Sequence, residues 1–233
     1  METIAKGMSC GRHGCSIADH AASRAKSGAP RGGAIRIEMF SDFICPWCLL
    51  GAAELDDLAG KYDFTVEHRG IEIFPDIPKD GIRFEDSPMA AHMPAALLKI
   101  AKIRDLGISH PPVLPNTRNA ILSEAYAKEN GKAHEYALAM WDAIFRKGIN
   151  VSSESEVGKI VAKIGLDPAK VPEYTRDEAR IAKLEDLERM CRDTGRDDVP
   201  NFIVNGNYSV EGYVSAKKWA GIFDQILGGH PQD

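Results

Sequence analysis

The sequence predicts an α/β protein in which a β-α-β unit, a long helical segment and a closing β-β-α unit follow one another. Three observations support this order. Runs with the apolar, β-branched character of strands are confined to residues 34–74 and 199–213. Residues 84–195 show helical periodicity instead, and a Cys-x-x-Cys pair, Cys45 and Cys48, stands where the first strand passes into the first helix.

The first predicted strand, residues 34–40, leads directly into Cys45-Pro46-Trp47-Cys48 at the start of a helix. Pro46 suits the first helical turn, because that position needs no backbone N–H group. A thiol at a helix N-terminus faces unpaired N–H groups and the positive end of the helix dipole, and both favour the thiolate. Such settings lower the pKa of a cysteine from about 8.5 to roughly 3.5–7.5. We therefore expect Cys45 to be the exposed nucleophile and Cys48 to resolve mixed disulfides.

Two other interpretations of the cysteine pair are half of a zinc site and a pair of buried structural thiols. A tetrahedral zinc site needs four ligands, so the zinc interpretation must recruit Cys10 and Cys15 from the start of the chain. The strand–turn–helix setting favours redox chemistry over both alternatives, because this is the context in which a redox-active Cys-x-x-Cys occurs.

The composition excludes several classes of function. A net charge of -5 gives no reason to expect a nucleic acid or an anionic membrane as a partner. No apolar run approaches the roughly 18 residues that a membrane span requires. The first ten residues lack the apolar core of a secretory signal, and five cysteines cannot all pair with one another. Together these features predict a cytoplasmic protein, in which a Cys-x-x-Cys is catalytic rather than structural.

Residues 1–33 are predicted to form a flexible tail, because Ser, Ala, Gly, Arg and His dominate them and a Gly/Pro-containing linker ends them. The tail carries Cys10 and Cys15, with four residues between them and basic neighbours around them. Three interpretations stay open at this stage: an incidental tail, a second redox pair that exchanges with Cys45, and a metal site.

The first helix is predicted to end at Gly60, and a second strand follows at residues 64–74. This strand stops at Pro75, which cannot donate to a sheet ladder. A strand, a crossover helix and a second strand form a βαβ unit, which implies parallel pairing and a right-handed crossover.

The segment 84–195 contains no strand signal. Its helices are predicted from apolar spacing and from capping residues: Ala95–Ile103, a helix capped by Asn116, residues 133–145, a helix opened by the capping box Ser153/Glu156, and a helix opened by the capping box Thr175/Glu178. Cys191 falls on the apolar stripe of the last helix, so we expect a buried, inert thiol there.

The end of the chain returns to strands. Residues 199–213 are predicted to form a hairpin whose turn is Asn205-Gly206, the strongest short-range hairpin signal. Ser215 is placed to cap a final helix that runs to Leu227.

Over residues 34–228 the chain resembles the DsbA-like branch of the thioredoxin superfamily, and within it the FrnE-like cytoplasmic dithiol oxidoreductases. The motifs that carry the resemblance are Ser41-Asp42 ahead of Cys45-Pro46-Trp47-Cys48-Leu49-Leu50-Gly51, Pro115-Asn116-Thr117-Arg118 at the opening of a helix, and Val199-Pro200 before a hairpin that ends in Gly212.

The resemblance implies a thioredoxin fold (β-α-β … β-β-α) made from residues 34–83 and 196–233. The all-helical insertion, residues 84–195, is then expected to cover the active site in part. Pro200 is expected to be a cis-proline beside Cys45, which leaves the backbone of Val199 free to pair with a bound peptide. Pro46 and Trp47 are implied to support the site and to contact the substrate.

The function implied is that of a thiol–disulfide oxidoreductase or disulfide isomerase acting on protein or peptide thiols and disulfides. It requires no bound cofactor or metal, and glutathione is a candidate co-substrate. The alternative within the same fold is the group of kappa-class glutathione transferases and 2-hydroxychromene-2-carboxylate isomerases, whose members generally have serine where Cys45 stands. A zinc-binding thiol protein is the alternative from another class.

One departure from thioredoxins leaves the proton acceptor for Cys48 open. Thioredoxins have a buried carboxylate six residues before the first cysteine, where this chain has Met39. Glu38 points to the opposite face of the strand. The candidates on the second strand are Glu67, His68 and Glu72.

Overall fold

The computed structural model describes residues 35–228, so the tail with Cys10 and Cys15 lies outside the described residues. The strands are β1 (Ile35–Ser41), β2 (Phe64–Gly70), β3 (Ile82–Arg83), β4 (Val113–Leu114), β5 (Asn201–Val204) and β6 (Tyr208–Glu211). The helices are α1 (Pro46–Asp56), α2 (Ala95–Ile103), α3 (Arg118–Glu129), α4 (Ala133–Trp141), α5 (Glu154–Lys163), α6 (Val171–Thr175), α7 (Glu178–Asp193) and α8 (Ala216–Ile226). Short 3₁₀ turns lie at Phe84–Asp86, Pro88–His92 and Pro168–Lys170, and a π-helical turn at Asp142–Arg146 follows α4.

A four-stranded sheet in the order β2-β1-β5-β6 organises the two ends of the chain. β1 pairs in parallel with β2, with Ser41 opposite Gly70. On its other side β1 pairs antiparallel with β5, with Phe40 opposite Asn201, and β5 and β6 form a hairpin. The predicted βαβ unit and closing ββα unit are therefore confirmed, and α2 to α7 are inserted between them. This is an α/β thioredoxin-like DsbA fold with a helical insertion.

The core is built around β1 and α1. Ile35, Ile37 and Met39 of β1 are almost fully buried, as an inner strand with partners on both sides requires. α1 buries side chains around most of its circumference, including Leu49 and Leu50, and it contacts both α8 and α2 of the insertion. The junction of β1 and α1 consequently lies inside the protein rather than at its surface.

The buried carboxylate of Glu54 joins α1 to two segments that are distant in sequence. Glu54 accepts hydrogen bonds from the Tyr213 hydroxyl and the Ala216 amide, each at 2.6 Å, and pairs with Arg104 at 3.1 Å. Burying a charge is costly unless it is paired and hydrogen-bonded, and Glu54 meets both conditions. The contacts join α1 to the segment after α2 and to the start of α8.

Several predicted boundaries were wrong because tertiary contacts decided them. β2 ends at Gly70 rather than at residue 74, and α1 ends at Asp56 rather than at Gly60. The segment 84–195 contains the two-residue strand β4, which pairs with β3. Prolines on both sides keep this stretch extended, so it can form a ladder that local periodicity does not reveal.

The helix caps were predicted with mixed success. Ser153 caps α5 and accepts from the Glu156 amide at 3.2 Å, as predicted. α7 is capped by Asp177, which accepts from two amides, whereas Thr175 donates its hydroxyl to Glu154. Asn116 stands one residue before the cap of α3 and forms a local turn with the Arg118 amide. Ser215 occupies the cap position of α8 without a side-chain hydrogen bond.

Two predictions from local pattern are confirmed. Asn205 and Gly206 both have positive φ angles, 51° and 81°, as the tight hairpin turn requires. Cys191 is fully buried beside Phe40 and Ile71, and burial raises the pKa of its thiol to about 11.

None of the helices in the described part of the chain is both long and apolar enough to cross a membrane.

The contact between α1 and β5 yields a stability prediction. A Cβ added at Gly51 would lie 3.2 Å from the Phe202 ring and 3.6 Å from the Pro200 ring, and Phe202 is fully buried. We expect Gly51→Val to lower the free energy of unfolding by roughly 1–3 kcal/mol through overpacking. The matched control is Gly221→Val on α8, where a Cβ would meet no atom within 4 Å. Denaturant unfolding of both variants checks this, and equal stabilities would contradict the close packing of Gly51.

Candidate active site

The cysteine pair occupies the first turn of α1, as the sequence predicts. Cys45 is the N-cap residue and Pro46 the first helical residue. The Cys45 amide donates to the Asp42 carbonyl at 3.0 Å, and the Cys48 amide donates to the Cys45 carbonyl at 3.1 Å. Both cysteines are free thiols. The turn that leaves β1 therefore sets both sulfur atoms within one helical turn, at the positive end of the helix dipole.

The expectation that Cys45 is exposed was wrong. Its exposed fraction is 4%, against 0% for Cys48. Side chains from separate parts of the chain cover it, which the sequence around the motif does not show. The two cysteines still differ in access, because Cys45 lines a surface groove and Cys48 does not.

The loop before β5 lies against Cys45. The Val199–Pro200 peptide bond is cis, and the Cys45 thiol donates to the Val199 carbonyl at 3.6 Å. The Pro200 carbonyl accepts from the Gly212 amide at 2.8 Å, which attaches this loop to the end of β6. The structure thus brings together the cysteine and the Val-Pro pair that lie about 150 residues apart, whereas their roles in substrate binding stay predictions.

The groove beside Cys45 has a volume of about 370 Å³. Four segments form its walls: the start of α1, the segment after β2, the 3₁₀ turn Pro88–His92 of the insertion, and the loop before β5. The residues that line it are Cys45, Trp47, Ile73, Phe74, Met89, His92, Asp197, Asp198 and Val199. The insertion covers part of the site, as the resemblance implied.

Trp47, in the first turn of α1, forms one wall of the groove. Its half-buried ring lies 5.7 Å from the ring of Tyr213, measured between centroids. The Tyr213 hydroxyl is held by Glu54, and burial raises the pKa of Tyr213 to about 12, so this hydroxyl stays protonated and donating. The position of Trp47 is therefore supported by the same contacts that hold α1.

Asp42, the residue after β1, is buried directly behind the cysteine pair. Its carboxylate accepts from the Ile44 amide at 3.2 Å, the Ile73 amide at 2.9 Å and the Thr117 hydroxyl at 2.8 Å. Burial raises the pKa of Asp42 to about 6, although these three hydrogen bonds oppose the shift. Asp42 is thus a carboxyl group that can exchange a proton near neutral pH.

The surroundings of Cys48 disfavour its thiolate. Burial raises the pKa of the Cys48 thiol well above its usual value, and the adjacent Cys45 raises it further. The Asp42 amide lowers the pKa of Cys48, while the Asp42 carboxylate raises it. Cys48 is consequently protonated until a base removes its proton, and Asp42 is a carboxylate whose charge acts on it.

The three candidates for the proton acceptor have other partners. Glu67 is half exposed and pairs with Arg69. Burial lowers the pKa of His68 to about 3, so that its ring is neutral beside the Ser41 hydroxyl. Glu72 is buried, pairs with Arg118 at 2.8 Å, and has a pKa raised to about 7 by burial. Asp42 is not among the acceptors predicted from the sequence, although it stands in the Ser-Asp pair ahead of the motif.

The described residues do not form a set of zinc ligands. Within residues 35–228 no three His, Cys, Asp or Glu side chains gather as metal ligands would. Cys10 and Cys15, which that interpretation needs, lie outside this range.

A Cys-x-x-Cys at the start of the helix that follows an inner strand, with an X–cis-Pro loop against the first cysteine, defines a thioredoxin-like redox protein. The chain belongs to the family of the DSBA-like thioredoxin domain, whose model matches residues 36–224. The FrnE-like branch within that family stays a prediction.

Known structures and a sequence relative agree with this family. A probable DsbA oxidoreductase from Streptomyces coelicolor superposes with a TM-score of 0.70 at 22% identity, covering 85% of this chain and 92% of that chain. A 2-hydroxychromene-2-carboxylate isomerase superposes with a TM-score of 0.63 at 16% identity, covering 82% and 94%. The uncharacterized protein YwbO from Bacillus subtilis is 27% identical over 138 residues, which are 58% of this chain and 68% of YwbO. Because an oxidoreductase and an isomerase share this fold, the fold alone does not determine the reaction.

The difference in access between the thiols yields a labelling prediction. We expect iodoacetamide at neutral pH to modify Cys45 ahead of Cys48 and Cys191, because Cys45 alone of the three lines the groove. Peptide mass spectrometry of protein with Cys10 and Cys15 changed to serine measures the order. The same protein in denaturant is the control and should lose the order. Faster labelling of Cys48 would reverse the assignment of the nucleophile.

Proposed function

We propose that this protein is a thiol–disulfide oxidoreductase that exchanges disulfides between its Cys45–Cys48 pair and protein or peptide substrates. The observation that carries the proposal is the asymmetric placement of the two sulfur atoms. Cys45 lines a groove large enough for side chains of a substrate, and Cys48 is sealed behind it. Disulfide exchange needs this division between an attacking thiol and a resolving thiol.

In the reducing direction the Cys45 thiolate attacks one sulfur of the substrate disulfide, and the other sulfur leaves as a thiolate. The Cys48 thiolate then attacks the Cys45 sulfur, and the second substrate thiolate leaves. The substrate gains two electrons and the protein keeps a Cys45–Cys48 disulfide. The same steps in reverse oxidise a dithiol, and attack by another substrate thiol on the mixed disulfide isomerises it.

Asp42 is the proton acceptor for Cys48 in this proposal. The Cys48 thiol needs a base, because burial raises its pKa well above the usual value. The Asp42 carboxylate acts on Cys48 electrostatically and has a pKa of about 6, so it is ionised at neutral pH. The proton moves from the Cys48 sulfur to a carboxylate oxygen of Asp42 as the Cys45–Cys48 bond forms.

We also propose that the protein belongs to the FrnE-like branch of the family and is located in the cytoplasm. The FrnE-like assignment and a cytoplasmic location are supported by the Cys-Pro-Trp-Cys motif and by an odd number of cysteines. The isomerase-like alternative generally has serine at the position of Cys45, and the retention of both cysteines argues against it. Glutathione as co-substrate stays a prediction at this point.

Cysteine substitutions test the function. We expect Cys45→Ser to abolish reduction of insulin disulfides, because the attacking sulfur is lost. Cys48→Ser should stop turnover and accumulate a mixed disulfide between Cys45 and the substrate, visible on non-reducing gels. Cys191→Ala is the control, and its turnover should stay close to that of the wild type because this thiol lies away from the groove. Continued turnover by Cys45→Ser would contradict the proposal.

A substitution of Asp42 tests the proton acceptor. We expect Asp42→Asn to slow resolution of the mixed disulfide by roughly 10²-fold, the lower end of what a positioned base contributes. In the wild type the resolution rate should rise through about pH 6 and then level, following the pKa of Asp42. In Asp42→Asn it should keep rising into the alkaline range, because Cys48 then loses its proton to hydroxide.

The control for this test is Glu124→Gln, which removes another buried carboxylate, one that pairs with Lys128 rather than with a group beside Asp42. It should retain the wild-type pH profile of resolution. An Asp42→Asn variant with the same profile and rate as the wild type would show that another group accepts the proton.

A further inference from the structure

The formal charge of the groove beside Cys45 is negative and comes from two adjacent aspartates. Asp197 and Asp198 line it from the loop before β5, and no lysine or arginine is among its lining residues. Both aspartates are exposed, and neither forms a hydrogen bond or an ion pair with another residue in the range 35–228. His92, from the insertion, is the remaining titratable lining residue apart from Cys45, and its ring centroid lies 6.2 Å from that of Phe74.

These carboxylates are close to the reacting sulfur along the chain. Asp198 immediately precedes Val199, whose carbonyl accepts from the Cys45 thiol. The fold thus holds the acidic pair at the edge of the space that a substrate must enter. Arg196, the neighbouring cation in sequence, is not among the residues that line the groove.

The rest of the lining suits the stem of a long basic side chain. Trp47, Ile73, Phe74 and Met89 are apolar or aromatic. Lysine and arginine place their methylene groups along such surfaces while the charged end stays at a polar rim. The Trp47 and Phe74 rings also offer faces on which a cation is attracted.

We propose that Asp197 and Asp198 make this groove selective for disulfides whose reacting cysteine is flanked by a lysine or arginine. The proposal rests on the proposed function and specifies its substrate class. The cationic end group lies between the two carboxylates, and its stem covers the apolar wall, so the neighbouring disulfide is held at the Cys45 sulfur.

The same charges count against glutathione as the favoured partner. Glutathione carries two carboxylates and one ammonium group at neutral pH, so its net charge is negative, and its disulfide carries twice that charge. No basic side chain lines the groove to receive these carboxylates. A cationic protein segment is therefore the better match of charge.

The test uses three peptides that differ only in the residue beside a single cysteine: lysine, glutamate or glutamine. Each peptide is joined by a disulfide to the same chromophoric aromatic thiol, which is the better leaving group. Attack by Cys45 transfers the peptide sulfur to the protein and releases the chromophore. Each rate is divided by the rate with a small uncharged thiol, which removes differences in intrinsic reactivity between the peptides.

With the full-length reduced protein we expect the lysine peptide to react roughly 5- to 20-fold faster than the glutamate peptide at low ionic strength, the range expected for two partly exposed charge contacts. The ratio should fall as salt is added, because these charges are screened. In Asp197→Asn/Asp198→Asn the ratio should approach one.

The matched control is Glu135→Gln/Glu178→Gln, which removes two exposed negative charges from α4 and α7, away from the groove. It should keep the wild-type ratio. Equal rates for the lysine and glutamate peptides in the wild type would overturn the inference. An undiminished ratio in the aspartate variant, or the same loss of ratio in the control, would also overturn it.

The glutamine peptide distinguishes a failure of the proposed selectivity from a failure of the proposed disulfide exchange. If it reacts with the protein while the charged peptides show no preference, only the selectivity fails. If none of the three peptides reacts with Cys45, the proposed disulfide exchange fails as well.

Discussion

A single buried carboxylate connects the segments that surround the cysteine pair. Asp42 binds the Ile44 amide in the turn that leads to Cys45, the Ile73 amide after β2, and the Thr117 hydroxyl at the cap of α3. These groups belong to the turn after β1, to the segment after β2 and to the inserted helical segment. The geometry of the site depends on these bonds, because they attach the insertion to the sheet at the point where α1 begins.

Burial also shifts the pKa values of the ionisable groups behind Cys45. Desolvation raises the pKa of Asp42 to about 6 and that of Glu72, one residue before Ile73, to about 7. Burial likewise raises the pKa of Cys48, which keeps this thiol protonated in the resting protein. Cys45 lies at the boundary of this region, where the groove opens, and is the sulfur that an incoming disulfide can reach.

The insertion contributes walls to the groove beside Cys45. Met89 and His92 come from its first turns and cover Cys45 from one side, while the loop with Asp197 and Asp198 follows its last helix. The junction of β1 and α1 holds the two cysteines. The insertion and the loop that follows it supply walls of the groove and its two carboxylates. In the proposed function, reactivity and selectivity therefore come from different parts of the chain.

Local sequence determined the features that depend on backbone conformation within a few residues. These are the strand–helix junction with Pro46, the Asn205-Gly206 turn, the cap at Ser153 and the apolar stripe that buries Cys191. Only the tertiary structure decided the burial of Cys45, the choice of Asp177 over Thr175 as a cap, the pairing of β4, and Asp42 as the carboxylate behind the pair. Each of these depends on partners distant in sequence, since desolvation and hydrogen bonding are set by whatever packs against a group in space.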